Sequence, residues 1–174
     1  IEIAVGTGHD VSLAVRSARK TFSKGGWSQL PPSERKKILH RFADLIDKEA
    51  GHLDLLDAIE MGKPIGLAAF NASHAAGLMR FYAEAVDKVL GDVLTSDKSS
   101  FVASRLVPRG VIAAVTPWNF PTFNAVLKIA PALAAGNCVV LKPSELSSQS
   151  ALRLTQIALE AGLPLGVLNM VPGS

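Results

Sequence analysis

The sequence predicts an α/β fold in which a run of helices leads into a parallel sheet covered on both faces and incomplete after its third strand. Three observations carry this reading. Up to about Val93, apolar residues recur three and four positions apart, the period of helices that bury one face. From Val111 onward, short continuous apolar runs alternate with helical segments, the pattern of strands buried on both sides and joined by crossover helices. Apolar residues make up 48% of the 174 positions, enough for the core of one sizeable unit, yet no run reaches the roughly 18 residues of a membrane span.

In order along the chain, Asp10 is placed to cap a first helix that carries Val11, Ala14, Val15 and Ala18 on one face and stops at Gly25-Gly26. After Pro31 and Pro32, Ser33 can cap a second helix with Ile38, Phe42, Leu45 and Ile46 in a stripe. A third carries Leu53, Leu56 and Ile59 and ends at Gly62, with Pro64 just beyond. The longest helical segment is 71–89, with Ala72, Ala75, Ala76, Met79, Tyr82, Val86 and Val89 on one face. Residues 91–100 are polar and turn-rich, and 101–107 read as a short strand. The alternating part follows: a strand at 111–115, a helix at 123–135 closed by Gly136, and a second strand at 138–141. Ser147 or Ser148 caps a helix with Ala151, Leu154, Ile157, Ala158 and Ala161 inside, and a third strand occupies 167–171. A sheet that stops here leaves a bare edge, which natural folds protect, and the first residue is not Met, so the chain reads as a fragment.

Charge and cysteine content exclude several functions. Eighteen Lys and Arg against fifteen Asp and Glu leave a net charge of +3, too mild a balance to name a nucleic-acid partner. The densest basic cluster, Arg35-Lys36-Lys37, reads as the solvated face of a helix. The opening residues show neither a basic leader nor a signal-like core. A single cysteine, Cys138, rules out a disulfide framework and a cysteine-built metal centre, and points to a reducing, cytoplasmic setting. Cys138 lies on an apolar strand and reads as a small buried hydrophobe, and His9, His40, His52 and His74 are scattered. No metal site is predicted.

In a parallel sheet, ligands bind at the carboxyl ends of the strands. Two such ends carry chemistry here. Thr116-Pro117-Trp118-Asn119-Phe120-Pro121 follows the first strand, with two prolines fixing the backbone around Asn119. Its amide is a neutral donor able to meet an oxygen that gains negative charge. The same residues also fit a rigid turn around a buried Trp. Lys142-Pro143-Ser144-Glu145 follows the second strand. A lysine and a carboxylate three residues apart suit the vicinal hydroxyls of an adenine nucleotide ribose, or simply form a solvated ion pair. Pro172-Gly173-Ser174 stands where a phosphate turn would begin.

A longer set of motifs is more specific. Pro108-Arg109-Gly110-Val111, Pro117-Trp118-Asn119-Phe120-Pro121, Pro131-Ala132-Leu133-Ala134-Ala135-Gly136-Asn137, Lys142-Pro143-Ser144-Glu145, Ala161-Gly162-Leu163-Pro164 and Gly166-Val167-Leu168-Asn169 occur in that order. Upstream stand Gly26-Trp27, Glu34-Arg35, Asp44-Leu45-Ile46 and Glu60-Met61-Gly62-Lys63-Pro64. Together they resemble the NAD(P)-dependent aldehyde dehydrogenase superfamily over nearly the whole chain.

The resemblance implies an aldehyde dehydrogenase-like α/β fold. Residues 1–98 would be the helical section of the cofactor domain, 99–108 a strand of the bridging or oligomerisation sheet, and 109–174 the first half of a Rossmann-like sheet. It implies that Asn119 is the oxyanion-hole asparagine and that the cofactor is met by Thr116, Pro117, Trp118, Lys142, Ser144 and Glu145. Lys142 and Glu145 would hold the adenosine ribose. A carboxylate at Glu145 repels a 2'-phosphate, which favours NAD over NADP, with NADP still possible. The family's nucleophilic cysteine and general-base glutamate would lie beyond residue 174, leaving the chain alone inactive. The substrate implied is an aldehyde, and residues 57–65 and 80–88 look similar to members acting on amine-derived aldehydes such as gamma-glutamylaminobutyraldehyde. The intact protein would be a homo-dimer or homo-tetramer. The alternative is a truncated nucleotide-binding or interaction module without turnover, or an inactive remnant.

Overall fold

The computed structural model describes residues 3–173. Helix α1 (Gly8–Ser23) starts before the predicted cap. Thr7 is the cap residue: its hydroxyl accepts from the backbone N of Asp10 at 3.4 Å, while the Asp10 carboxylate accepts from the backbone N of Thr7 at 2.8 Å. Of the predicted stripe, Ala14 and Ala18 turn inward, whereas Val11 and Val15 are exposed. The helix lies along a sheet, where its smallest side chains allow the closest approach.

Helix α2 (Pro32–Lys48) has Pro31 at its cap position and no side-chain cap, so Ser33 lies inside the first turn rather than closing it. Its buried face is Arg35, Leu39, Phe42, Ala43 and Ile46. Arg35 therefore departs from the solvated face predicted for it. Its Nη1 donates to the Leu30 carbonyl at 2.6 Å and the Ser28 carbonyl at 3.5 Å, satisfying carbonyls of the turn before the helix.

Helix α3 (Ala50–Met61) ends at Gly62 in the left-handed conformation, as predicted. Its apolar stripe is not what it buries. Leu53 is buried, but Ile59 is 56% exposed, and the other buried positions are Asp54 and Asp57. A single turn, α4 (Ile65–Ala68), leads to α5 (Asn71–Ala85). Helix α5 stops four residues short of the predicted end, and Val89 is exposed. Its small residues Ala72, Ala75, Ala76 and Ala83, with Met79, pack closely on α2.

Strands β1 (Val93–Leu94) and β2 (Val102–Ala103) form an antiparallel ribbon with Val93 opposite Ala103. The strand predicted over 101–107 is only two residues long, because its partner comes from the turn-rich stretch before it. The alternating part then unfolds nearly as predicted: β3 (Val111–Val115), α6 (Pro121–Ala134), β4 (Cys138–Lys142), α7 (Gln149–Glu160) and β5 (Leu168–Met170). The sheet is parallel in the order β3-β4-β5. Central β4 buries Cys138 through Leu141 completely or nearly so. Burial on both faces does not extend to β3: only Ala114 is buried, because β3 is an edge with Val115 67% exposed. Helix α1 packs on one sheet face; α6 and α7 pack against each other and on the other face, with α2, α3 and α5 behind them. Trp27 is fully buried and donates through Nε1 to the Leu133 carbonyl at 3.1 Å, joining the 25–31 turn to α6.

Register decides what the sheet presents. Val115 sits beside Lys142, and the Thr116 N–H continues the ladder to the Lys142 carbonyl at 3.1 Å. The loops after β3 and β4 therefore emerge side by side. Among the described residues no helix is long and apolar enough to cross a membrane.

The return from α6 into β4 depends on Gly136, which has φ +86°, and a methyl group on its Cα would meet its neighbours only at ordinary contact distances. Substituting Gly136→Ala therefore tests backbone strain alone and is expected to cost about 1–2 kcal/mol, read as a lower urea midpoint with an unchanged denaturant slope.

Candidate active site

The crevice at the ends of β3 and β4 is built from two turns. Thr116 is buried at the strand end. The Trp118 carbonyl accepts from the Ser147 hydroxyl at 3.2 Å, so the second loop is bonded to the first. Trp118 is 50% exposed, which removes the reading of a rigid turn around a buried Trp; the buried tryptophan is Trp27. Asn119 is exposed, and its carbonyl accepts from Asn124 Nδ2. Phe120 takes a left-handed φ of 54°, an unusual conformation for a bulky residue. Pro121 then begins α6. These constraints make a tight corner in which Asn119 is exposed just beyond the end of β3. Lys63 Nζ lies 3.9 Å above the Phe120 ring, adding a positive charge beside the turn.

Across the crevice, Lys142 Nζ and the Glu145 carboxylate are 3.7 Å apart and both partly exposed. Such a pair contributes little to stability. Ser144 organises its loop: its hydroxyl accepts from Leu146 N at 3.2 Å, and its carbonyl accepts from Ser147 N at 3.2 Å and from the Ser148 hydroxyl at 2.8 Å. Neither Ser147 nor Ser148 caps α7 with its side chain, contrary to the sequence expectation. The structure thus brings the 116–119 and 142–145 segments side by side at neighbouring strand ends. The end of β5 lies one strand further, where the Pro172 carbonyl accepts from Gly6 N at 2.7 Å beside a cavity of about 420 Å³ lined by Ala4, Val5, Asp10 and Asn169. A cavity of about 460 Å³ near Arg35, Arg105 and Pro108 lies at the opposite end of the sheet. Cys138 is buried on β4, and burial pushes its thiol up to about 11 against the opposing charge of Arg19. A buried thiol that holds its proton is poorly suited to act as a nucleophile. Among the described residues no group of three or more His, Cys, Asp or Glu is arranged to hold a metal ion.

Sequence reasoning missed three carboxylates on α3. Helices α5, α6 and α7 begin without a side-chain cap of their own. Asp54 accepts from Phe70 N at 2.9 Å and Ala72 N at 3.0 Å, at the start of α5. Asp57, fully buried, accepts from Thr122 N at 3.2 Å and the Thr122 hydroxyl at 3.0 Å, at the start of α6. Glu60 accepts from Ser148 N at 3.0 Å and from Gln149 N at 3.1 Å and 3.0 Å, at the start of α7. Their spacing of three places them on one side of the helix, and each meets first-turn N–H groups that have no partner within their own helix. Burial pushes the Asp57 carboxyl up to about 6, against the pull of the Thr122 hydroxyl and N–H, with the nearby Asp54 charge adding to the rise. Burial also raises Glu60, opposed by the amides of α7. The available signal was the pair of helix starts at Phe70 and Phe120, residue types that cannot cap.

A parallel sheet with crossover helices on its faces and polar turns at adjacent strand ends defines an α/β protein whose strand ends are the place where ligands bind in such folds. The chain belongs to the aldehyde dehydrogenase family, whose pattern matches residues 1–174. It is 47% identical to the NADP/NAD-dependent aldehyde dehydrogenase PuuC of Escherichia coli (strain K12), over 99% of this chain and 35% of that protein. Among solved structures it is similar to the gamma-glutamyl-gamma-aminobutyraldehyde dehydrogenase of Burkholderia cenocepacia J2315, with a TM-score of 0.96 and 45% identity over 100% of this chain and 36% of that one. It is also similar to the P. syringae indole-3-acetaldehyde dehydrogenase AldA solved as a variant with NAD+, with a TM-score of 0.97 and 42% identity over 99% of this chain and 35% of that one. The chain thus spans about a third of the length of these relatives.

The Asp57 carboxyl holds its proton more tightly in the fold than at its ordinary value of 3.8. Its contribution to stability is therefore complete below that value and is lost as pH rises through about 6. Urea midpoints of the unsubstituted protein and Asp57→Asn, measured across that window, are expected to diverge in favour of the amide as pH rises. A pH-independent difference contradicts this assignment.

Proposed function

We propose that the intact protein oxidises an aldehyde to a carboxylate with NAD, and that this chain supplies the oxyanion donor and the ribose-binding loop. The observation that carries the reading is the pairing of the Asn119 turn with the Lys142–Glu145 loop at neighbouring strand ends, tied by the Thr116 N–H to Lys142 carbonyl bond and the Ser147 hydroxyl to Trp118 carbonyl bond. Family membership and the NAD+ complex of a similar enzyme support it.

The residues present fit the dinucleotide. Lys142 donates and Glu145 accepts, the complement that a vicinal diol needs, and both have partly exposed side chains on the crevice. Ser144 stands beside them, and Thr116, Pro117 and Trp118 line the side toward Asn119. Bound NAD supplies a hydride acceptor. Glu145 disfavours a 2'-phosphate by charge, so NAD is the preferred form, with NADP use possible as in the NADP/NAD-dependent relative.

Asn119 presents a preformed neutral donor to the aldehyde oxygen as it becomes an oxyanion under thiolate attack. The thiolate comes from outside these 174 residues, since Cys138 is buried with its thiol raised to about 11; the glutamate that activates water for hydrolysis does too. Likeness to a gamma-glutamyl-gamma-aminobutyraldehyde dehydrogenase favours an amine-derived aldehyde as substrate. The β1-β2 ribbon exposes Val93, Leu94, Phe101 and Val102. A two-stranded ribbon is marginal alone, which supports its pairing into a sheet of a homo-dimer or homo-tetramer.

The test is NAD-dependent oxidation of amine-derived aldehydes by the intact protein. Asn119→Ala is expected to lower kcat on the order of 10²–10³-fold with NAD binding retained. Saturable NAD binding without turnover by the unsubstituted protein would establish the binding-module reading instead.

A further inference from the structure

The carboxylates of α3 do more than complete helix ends. A cap built into a helix's own sequence fixes where that helix begins but says nothing of where it lies relative to others, and it is available through Ser, Thr, Asp or Asn. Here the caps come from another helix, at the cost of burying carboxylates. What they gain is position. Thr122, held by Asp57, lies three residues after Asn119, with only the left-handed Phe120 and the rigid Pro121 between. Ser148 and Gln149, held by Glu60, lie three and four residues after Glu145. The two anchors sit less than one helical turn apart on α3. Arg153 of α7 also pairs with Glu49 at the start of α3, fastening the second loop's helix at a further point.

We propose that Asp57 and Glu60 are positioning residues that share one site between them: Asp57 sets the Asn119 turn and Glu60 sets the Lys142–Glu145 loop. The assignment rests on the preceding reading that the first loop meets the aldehyde carbonyl and the second the nucleotide ribose. Asp54 provides the internal comparison. It caps α5 by the same chemistry, but α5 carries no residue of the crevice.

The experiment uses the intact protein and its Asp57→Ala, Asp57→Asn, Glu60→Ala, Glu60→Gln and Asp54→Asn variants. The readouts are kcat, KM for aldehyde, Kd for NAD by fluorescence, and folded fraction. Asp57→Ala is expected to lower kcat on the order of tenfold per folded molecule with Kd for NAD unchanged. Glu60→Ala is expected to raise Kd for NAD on the order of tenfold with a smaller effect on kcat at saturating NAD. Asp57→Asn and Glu60→Gln keep an acceptor oxygen and recover most of each loss. Asp54→Asn lowers Tm and leaves the kinetic constants of the folded protein unchanged. If an alanine variant does not fold, Asp57→Ser or Glu60→Asp, whose shorter side chains withdraw the acceptor from the helix start, replaces it; a shift confined to the assigned constant supports the proposal, and unchanged constants overturn it.

Losses that merely follow the folded fraction, or that Asp54→Asn reproduces, overturn the positioning roles while leaving the proposed activity standing. An unsubstituted protein that neither binds NAD nor oxidises aldehyde removes the functional reading, and this assignment falls with it.

Discussion

Polar first-turn amides buried at the start of a helix must find acceptors, and in this protein one helix provides them for three others. Asp54, Asp57 and Glu60 project from the same side of α3 and receive the opening N–H groups of α5, α6 and α7. Negative charge at a helix N-terminus is favoured by the aligned peptide dipoles, which offsets part of the desolvation that raises Asp57 and Glu60. The result ties three helices to α3, in addition to the apolar packing around Leu53, Phe42 and Met79. Removing α3 would leave their starts without partners.

The sheet contributes the other half of the geometry. Parallel pairing fixes Val115 beside Lys142, so two chain segments far apart in sequence leave the core next to each other. Their following helices pack on the sheet and against each other, and both begin at the end of the sheet where these loops emerge. There α3 meets them. Loop, helix start and carboxylate anchor therefore occur twice, once for the Asn119 turn and once for the Lys142–Glu145 loop, with the Ser147 to Trp118 bond between the two copies.

Much of this order is written locally in the sequence. The continuous apolar run of β4 is legible because a central strand is covered on both faces, and Gly62 and Gly136 mark helix ends that need left-handed backbone. The turns after β3 and β4 are legible because prolines and polar residues follow directly on strand ends. Edge position is less legible: β3 reads like β4 but lacks a second neighbour, so Val115 is exposed. The buried face of α3 was not legible. Leu53, Leu56 and Ile59 share the spacing of an apolar stripe, while Asp54, Asp57 and Glu60 pass for its polar side. Their partners lie in segments that only the tertiary fold brings near. Arg35 is the same case, a charge that looks solvated until the Ser28 and Leu30 carbonyls are placed against it.

A scaffold of this kind makes a direct demand on backbone dynamics, because first-turn amides of an ordinary exposed helix have no intramolecular acceptor and exchange readily with solvent. Residue-resolved hydrogen exchange at the amides of Ala72, Thr122, Ser148 and Gln149 measures it. The account predicts protection at all four, comparable to that of the helix interiors, with Asp57→Ala releasing Thr122 while Ala72 stays protected. Fast exchange at these amides in the unsubstituted protein would contradict the claim that the α3 carboxylates hold the helices and the crevice in place.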